Sequence, residues 1–165
     1  MPLEGTVTAL AESLPTNRLV ELRFKPLWLY VDEVREFCGF FARATFEDPA
    51  VGERVGLVVH ELIENAIRYG DEKELELRME RSEGVVVIRV ANTTSDERAM
   101  KLSAAFSELM SGSATEAYAR ALQIAAARPS IESGLGLPRV RCEGQVDLEL
   151  QIEPGRVCIT ARGAA

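Results

Sequence analysis

The chain has 165 residues, of which 47% are hydrophobic and 27% charged, enough for one compact domain with a real core but too few for two. Its net charge of -7, with acidic residues spread along the chain, disfavours nucleic acid as a partner, because such a surface repels phosphate backbones. The amino-terminal residues lack the pattern of a secretory signal, and no apolar run reaches the roughly 18 residues of a membrane span. We therefore expect a cytoplasmic protein with neither nucleic acid nor a membrane as partner.

The cysteines argue against a disulfide framework and against a zinc site. Cys38, Cys142 and Cys158 are an odd number, lie far apart and each fall within an apolar run, and His60 is the only histidine. We therefore expect buried free thiols.

In chain order, the first half predicts one strand followed by two helices. Residues 1–18 contain scattered prolines and a glycine and are expected to form a loosely ordered lead-in. Residues 19–24 alternate apolar and polar, as in a strand, whereas 31–45 and 51–69 have helical spacing. Gly70 follows the second helix, where a left-handed cap residue is typical.

The second half predicts two hairpins separated by helices. The turn residues 81–84 and 153–155 mark the hairpins, and a turn-rich stretch at 129–136 precedes the last helix. The predicted elements are strands 74–79 and 84–91, helices 97–110, 115–127 and 137–143, and strands 146–152 and 157–161. This order predicts a two-layer α/β sandwich, with a mixed, largely antiparallel sheet covered on one face by helices.

The second helix carries a polar stripe formed by Glu61, Asn65 and Arg68, at positions i, i+4 and i+7. A carboxamide oxygen is a neutral ligand for Mg²⁺, and a carboxylate one turn away can orient and partly deprotonate a hydroxyl aimed at a phosphate. The alternative is an ordinary solvated face on which Glu64 and Arg68 form an ion pair. Spacing alone leaves both interpretations open.

The segment 61–70 resembles the N-box of the GHKL ATPase/kinase superfamily, in which a glutamate is followed after three residues by an asparagine and an alanine. The resemblance implies that Glu61 is the general base and Asn65 the Mg²⁺ ligand. Arg68, on the same stripe, is a candidate to neutralise phosphate charge, with a surface salt bridge as the alternative. The resemblance covers about residues 19–162 and implies a single ATP-binding domain over 19–165, with a helical insertion at about 96–128.

The Gly-Leu-Gly turn at Gly134, Leu135 and Gly136 is similar to the second glycine box of that superfamily, which lies just before a helix. Without Cβ atoms the backbone can approach phosphates closely, and a helix amino terminus favours negative charge. The alternative is a helix-entry turn with two permissive residues.

The adenine-side motif of the superfamily, Asp-x-Gly-x-Gly, is absent. Asn92 stands at the end of the strand where the aspartate is expected, and the threonines Thr93 and Thr94 follow in place of glycine. A carboxamide can still accept a hydrogen bond from an adenine amino group, and the alternative is a strand-end residue that favours a turn. This departure resembles the SiaB-type branch of bacterial partner-switching kinases, whose helical insertion carries a tyrosine much like Tyr118.

The resemblance implies an ATP- and Mg²⁺-dependent protein Ser/Thr kinase that acts on a small regulatory protein carrying a Ser or Thr phosphosite, as in anti-sigma antagonist systems. The missing aspartate and glycines leave an alternative open: a binding module that keeps the fold and acts by protein–protein contact without efficient nucleotide use. The oligomeric state is also open, with a homodimer as one alternative because small relatives are often dimers.

Overall fold

The computed structural model describes residues 17–128 and 134–165, and within them the chain forms a five-stranded sheet and five helices. Its strands are β1 (Arg18–Phe24), β2 (Leu75–Ser82), β3 (Val85–Thr93), β4 (Val146–Glu153) and β5 (Arg156–Ala164), in the spatial order β1-β2-β3-β5-β4. All four pairings are antiparallel, so the parallel component that a mixed sheet implies does not occur in the described strands. The α/β sandwich is confirmed.

The turn between β2 and β3 shows why the hairpin forms where the sequence predicts it. Glu83 and Gly84 both have positive φ, 44° and 78°, the conformation of a two-residue turn that suits the twist of the flanking strands. The lead-in predicted for residues 1–18 and the turn-rich stretch at 129–136 lie largely outside the described residues.

Two long helices cover the sheet, α1 (Val31–Phe46) and α2 (Pro49–Tyr69). Asp48 caps α2, since its side chain accepts a hydrogen bond from the Ala50 amide at 2.8 Å, and Pro49 occupies the first helical position. The helix therefore begins two residues before the predicted start. On its inner side α2 buries an apolar row against the sheet: Val55, Val58, Val59, Leu62 and Ala66.

Gly70 ends α2, but the predicted left-handed cap is wrong. Its backbone is extended, with φ of -88° and ψ of 177°. A Cβ at Gly70 would clash first with the Ala66 carbonyl oxygen of α2 and would also lie 2.9 Å from the Nδ2 atom of Asn92. Glycine is therefore required both by the backbone of α2 and by the close approach of the end of β3.

Three helices fill the connection from β3 to β4: α3 (Asp96–Leu109), α4 (Ala114–Ala127) and α5 (Gly136–Glu143). We call α3 and α4 the helical pair. Ser113 and Glu116 form a capping box at the start of α4. Arg141 of α5 donates hydrogen bonds to the Leu109 carbonyl at 2.8 Å and the Gly112 carbonyl at 3.1 Å, which fixes the turn of the pair onto α5.

The structure bears on the expectation of buried free thiols and on the expectation that no segment spans a membrane. All three cysteines are free, but only Cys38 is buried, whereas Cys142 and Cys158 are half-buried. None of the helices in the described ranges combines the length and apolarity that a membrane crossing requires.

Candidate functional site

A cavity of about 260 Å³, here called the central cavity, lies between α2, the helical pair and the start of α5. Its polar lining comes mainly from α2, and the helical pair supplies an apolar wall. The lining residues used below are Glu61, Glu64, Asn65, Arg68, Glu108, Arg120, Gly134 and Gly136. The structure thus brings together five of the seven residues selected from the sequence, and it leaves Leu135 and Asn92 out of this lining.

Glu61 is a buried carboxylate with one cationic partner. Its side chain is only 10% exposed, and Arg139 of α5 donates from Nη1 to Glu61 Oε1 at 3.3 Å. Burial raises the pKa of Glu61 above its ordinary value, and the negative charge of Glu64 raises it further, while His60 and Arg139 oppose the shift. A raised pKa in a cavity is typical of a carboxyl group that exchanges protons.

Asn65 presents an unpaired carboxamide to the same cavity. The residue is 8% exposed, and its side chain has no hydrogen-bond partner in the described part of the chain. The carboxamide atoms are not among the fully enclosed polar atoms that lack a partner, because they remain accessible from the central cavity. A carboxamide that lines a cavity one turn from a buried carboxylate is available to a ligand there. Its oxygen is of the kind that Mg²⁺ prefers, and Mg²⁺ usually completes its shell with water and substrate phosphates.

The alternative of a solvated helix face is wrong for Glu61 and Asn65, since both are buried. The expected ion pair between Glu64 and Arg68 is also not formed. Glu64 instead lies 3.4 Å from Nε2 of His60, and Arg68 makes no ion pair or hydrogen bond with the described residues. Among the described residues, the Arg68 guanidinium at the cavity thus has no anionic partner.

The glycine turn contributes two different features. Gly134 has φ of +66° with no atom within 4 Å of an added Cβ, so its glycine serves the backbone conformation. Gly136, the first residue of α5, would place a Cβ 2.7 Å from Oε2 of Glu61. In this structure the space left by Gly136 is thus used by the Glu61 carboxylate. Leu135 is the amino-terminal cap residue of α5.

The end of β3 is tied to the end of α2 rather than open to the cavity. Asn92 is 5% exposed and donates from Nδ2 to the Thr93 carbonyl at 3.0 Å. Thr94 donates to the Tyr69 carbonyl at 2.5 Å, and Arg98 donates to the Gly70 carbonyl. The contacts of Thr94 and Arg98 tie the segment after β3 to the end of α2, and Asn92 is not among the residues that line the central cavity.

Sequence reasoning missed three residues that border the site from α4 and α5. Arg139 contacts Glu61, and Arg120 lines the cavity while donating to the Ser111 carbonyl at 2.6 Å. Glu143 accepts hydrogen bonds from Arg139 and from Tyr118, so Tyr118 is a contact residue at the edge of the helical pair. Arginine and glutamate four residues apart on a short helix are the only sequence signal for this cluster, and that spacing is common on exposed helices.

No protein-family model matches the chain, and neither does any curated protein. Among solved structures, a chain of the SiaB–SiaC complex from Pseudomonas aeruginosa is similar over 98% of this chain and 99% of that chain, with a TM-score of 0.68 and 17% identity. The histidine kinase AdeS from Acinetobacter baumannii is similar over 89% of this chain and 68% of that chain, with a TM-score of 0.43 and 14% identity. The first likeness shows a shared α/β fold along nearly the whole chain.

Proposed function

We propose that this chain is an ATP-dependent protein Ser/Thr kinase of a bacterial partner-switching system, built on a GHKL-type domain. The observation that carries the proposal is the Asn65 carboxamide, which is buried, unpaired within the described residues and directed to the same cavity as Glu61. If α2 served only for packing, apolar side chains would be expected at positions 61 and 65, because burying polar groups costs free energy.

In this proposal each cavity residue has a separate role. Asn65 is a ligand of Mg²⁺, Arg68 neutralises phosphate charge, and the turn at Gly134 and Gly136 lies against the phosphates. Glu61 accepts the proton of the partner's Ser or Thr hydroxyl while that oxygen forms a bond to the γ-phosphorus and the bond to ADP breaks. The raised pKa of Glu61 keeps the carboxylate basic enough to take part.

The proposed substrate is a small regulatory protein with a Ser or Thr phosphosite. The likeness to a chain of the SiaB–SiaC complex supports a protein partner, since that structure is itself an assembly of two proteins. A homodimer remains a prediction, and measurement of the mass in solution by light scattering tests it.

A nucleotide titration tests the proposal. ATP is titrated into the purified chain with and without Mg²⁺, and the titration is repeated with Asn65→Ala and with the control Gln151→Ala. Gln151 carries the same functional group on an exposed position of β4. Saturable, Mg²⁺-dependent binding that is lost in Asn65→Ala and kept in Gln151→Ala is the expected result. Absence of binding up to millimolar ATP refutes the proposal that the chain is an ATP-dependent kinase.

The second candidate is a binding module that has lost efficient nucleotide use. Two observations favour it: Asn92 is absent from the lining of the cavity, and the volume of about 260 Å³ lies just below the range of about 300 to 1,000 Å³ typical of ligand sites. Association of the chain with its partner at equal affinity with and without Mg-ATP, together with no phosphotransfer, is the result that selects this candidate.

A further inference from the structure

Glu61 belongs to a chain of side-chain contacts that crosses three helices. Tyr118 of α4 donates from its hydroxyl to Glu143 Oε1 at 2.9 Å, and Arg139 of α5 donates from Nε to Glu143 Oε2 at 2.9 Å. Arg139 then reaches α2 through Nη1, which lies 3.3 Å from Glu61 Oε1. The chain therefore runs from the helical pair to the candidate base.

Each contact in this chain uses a different atom. Glu143 receives Tyr118 on one oxygen and Arg139 on the other, and Arg139 uses Nε for Glu143 and Nη1 for Glu61. Because Nε and Nη1 carry separate hydrogens, Glu143 and Glu61 accept different hydrogen bonds from Arg139, while they share its single positive charge. Glu143 binds the Nε side of the guanidinium, and this orientation leaves Nη1 directed toward Glu61.

This anchoring matters because Arg139 would otherwise be free to move. Its side chain is 44% exposed, so without Glu143 the guanidinium could turn into solvent at little cost. Glu61, by contrast, is confined by burial and by the backbone of Gly136. The orientation and charge of Glu61 thus depend on where Arg139 is held.

The helical pair forms one wall of the central cavity. Ala117, Arg120 and Ala121 of α4 line the same cavity as Glu61, so a molecule bound there would contact α4 directly. Tyr118 lies on α4, next to Ala117, which lines the central cavity. A shift of α4 therefore changes the contact between Tyr118 and Glu143.

We propose that Arg139 is a positioning residue for Glu61, and that Glu143 and Tyr118 couple this positioning to the placement of α4. The role of Glu61 as a base rests on the proposed function, whereas the series of contacts from Tyr118 to Glu61 is independent of it. The titratable and charged residues around Glu61 are His60, Glu64 and Arg68 on α2, Glu108 and Arg120 on the helical pair, and Arg139 on α5.

The test is a pH titration of the Glu61 carboxyl carbon by NMR in the nucleotide-free chain labelled with ¹³C at glutamate side chains, with Glu61→Gln used to assign the signal. In Arg139→Gln the titration midpoint is expected to move upward by at least about 0.5 pH unit, because a buried carboxylate loses its cation. Arg139→Lys, which keeps the charge, is expected to give a smaller shift.

Glu143→Gln and Tyr118→Phe test the coupling to α4, and both are expected to raise the midpoint by less than Arg139→Gln does. The control is Arg162→Gln, which removes an equally exposed arginine that pairs with Glu149 on the sheet. An unchanged midpoint in Arg139→Gln, or an equal shift in Arg162→Gln, overturns the positioning role. A midpoint that stays or falls in both Glu143→Gln and Tyr118→Phe overturns the coupling to α4.

The kinetic arm separates this inference from the proposed function. With Mg-ATP and a protein substrate, Arg139→Gln is expected to lower kcat and shift its pH profile with the Glu61 midpoint, while KM for ATP changes less than twofold. If the NMR shifts occur but Glu61→Gln transfers phosphate normally, then the positioning stands and the role of Glu61 as base is refuted.

Discussion

Gly136 and Glu61 fit together at the start of α5, where the carboxylate oxygen Oε2 lies 2.7 Å from the point that a Cβ of residue 136 would occupy. Real Cβ atoms do not approach an oxygen so closely, so any side chain at position 136 forces the buried carboxylate to move. Gly136, which the sequence predicts to contact phosphate, therefore also determines where the Glu61 carboxylate lies.

Gly136→Ala is therefore expected to impair catalysis more than folding. The added methyl group displaces Glu61 from Arg139, and phosphotransfer falls by about tenfold or more because small misplacements of reacting groups are costly. The free energy of unfolding changes by less than about 1 kcal/mol, since alanine is itself favourable in a helix.

Urea unfolding and a phosphotransfer assay measure the two effects on Gly136→Ala. The control is Gly84→Ala in the β2–β3 turn, where φ is +78° and nothing lies within 4 Å of an added Cβ. That variant is expected to lose about 1 kcal/mol of stability through backbone strain and to keep its transfer rate. Normal transfer by Gly136→Ala contradicts the prediction.

Glu61→Gln is expected to stabilise the fold at neutral pH. Burial raises the folded-state pKa of Glu61 above the unfolded value of 4.5, so the folded chain binds this proton more tightly than the unfolded chain does. Stability is consequently lost as the pH rises from about 4.5 through the folded pKa, and the neutral amide avoids that loss.

The expected gain of Glu61→Gln at pH 7 is on the order of 1 kcal/mol, and it should disappear as the pH falls below the unfolded pKa. Urea unfolding from pH 4 to pH 8 measures it. Glu97→Gln serves as the control, because Glu97 is fully exposed and its pKa is lowered by its hydrogen bond with Lys101, so this variant should show no gain. A gain independent of pH would point to packing rather than ionisation.

Asn92→Asp restores the residue type of the superfamily motif, yet it is expected to destabilise the chain without improving nucleotide binding. The Asn92 amide donates to the Thr93 carbonyl, and a carboxylate there would face that oxygen without a proton. The expected loss at pH 7 is about 1 to 3 kcal/mol, smaller at low pH where the acid can donate. Tighter ATP binding by Asn92→Asp would show that residue 92 does contact the base.

Cys38 is expected to resist thiol reagents in the folded chain. Burial raises its pKa to about 12, and the residue is inaccessible, so the reactive thiolate is absent at pH 8. Mass spectrometry after iodoacetamide treatment should find modification at the half-buried Cys142, slower modification at Cys158, whose pKa is also raised by burial, and modification at Cys38 only after urea is added. Modification of Cys38 under native conditions contradicts the prediction.

The sequence predicted the elements well because their signals are local. The alternation in β2 and the apolar row on α2 each follow from a period that a single segment carries. The predicted helix 51–69 starts two residues late, because Asp48 and Pro49 are the cap and the first residue of α2. A cap residue and a proline in the first turn lie outside the apolar period, so the spacing alone does not include them.

The site was only partly predictable because its contacts join distant segments. Glu61 and Asn65 lie one turn apart on a single helix, so the sequence places them together, although the spacing alone does not distinguish a ligand site from a solvated face. Arg139 lies 78 residues from Glu61, and nothing in its own neighbourhood predicts that contact. The orientation of Asn92 likewise depends on the approach of Gly70, 22 positions earlier and in another element.

The helical pair lies in the connection between the end of β3 and the start of α5. Its contribution to the interior is small: α3 buries Ala99, Leu102 and Leu109, and α4 buries only Ala117 among its described residues. Replacing the pair would therefore change the wall of the cavity and the outer surface together while leaving most of the core beneath the sheet untouched.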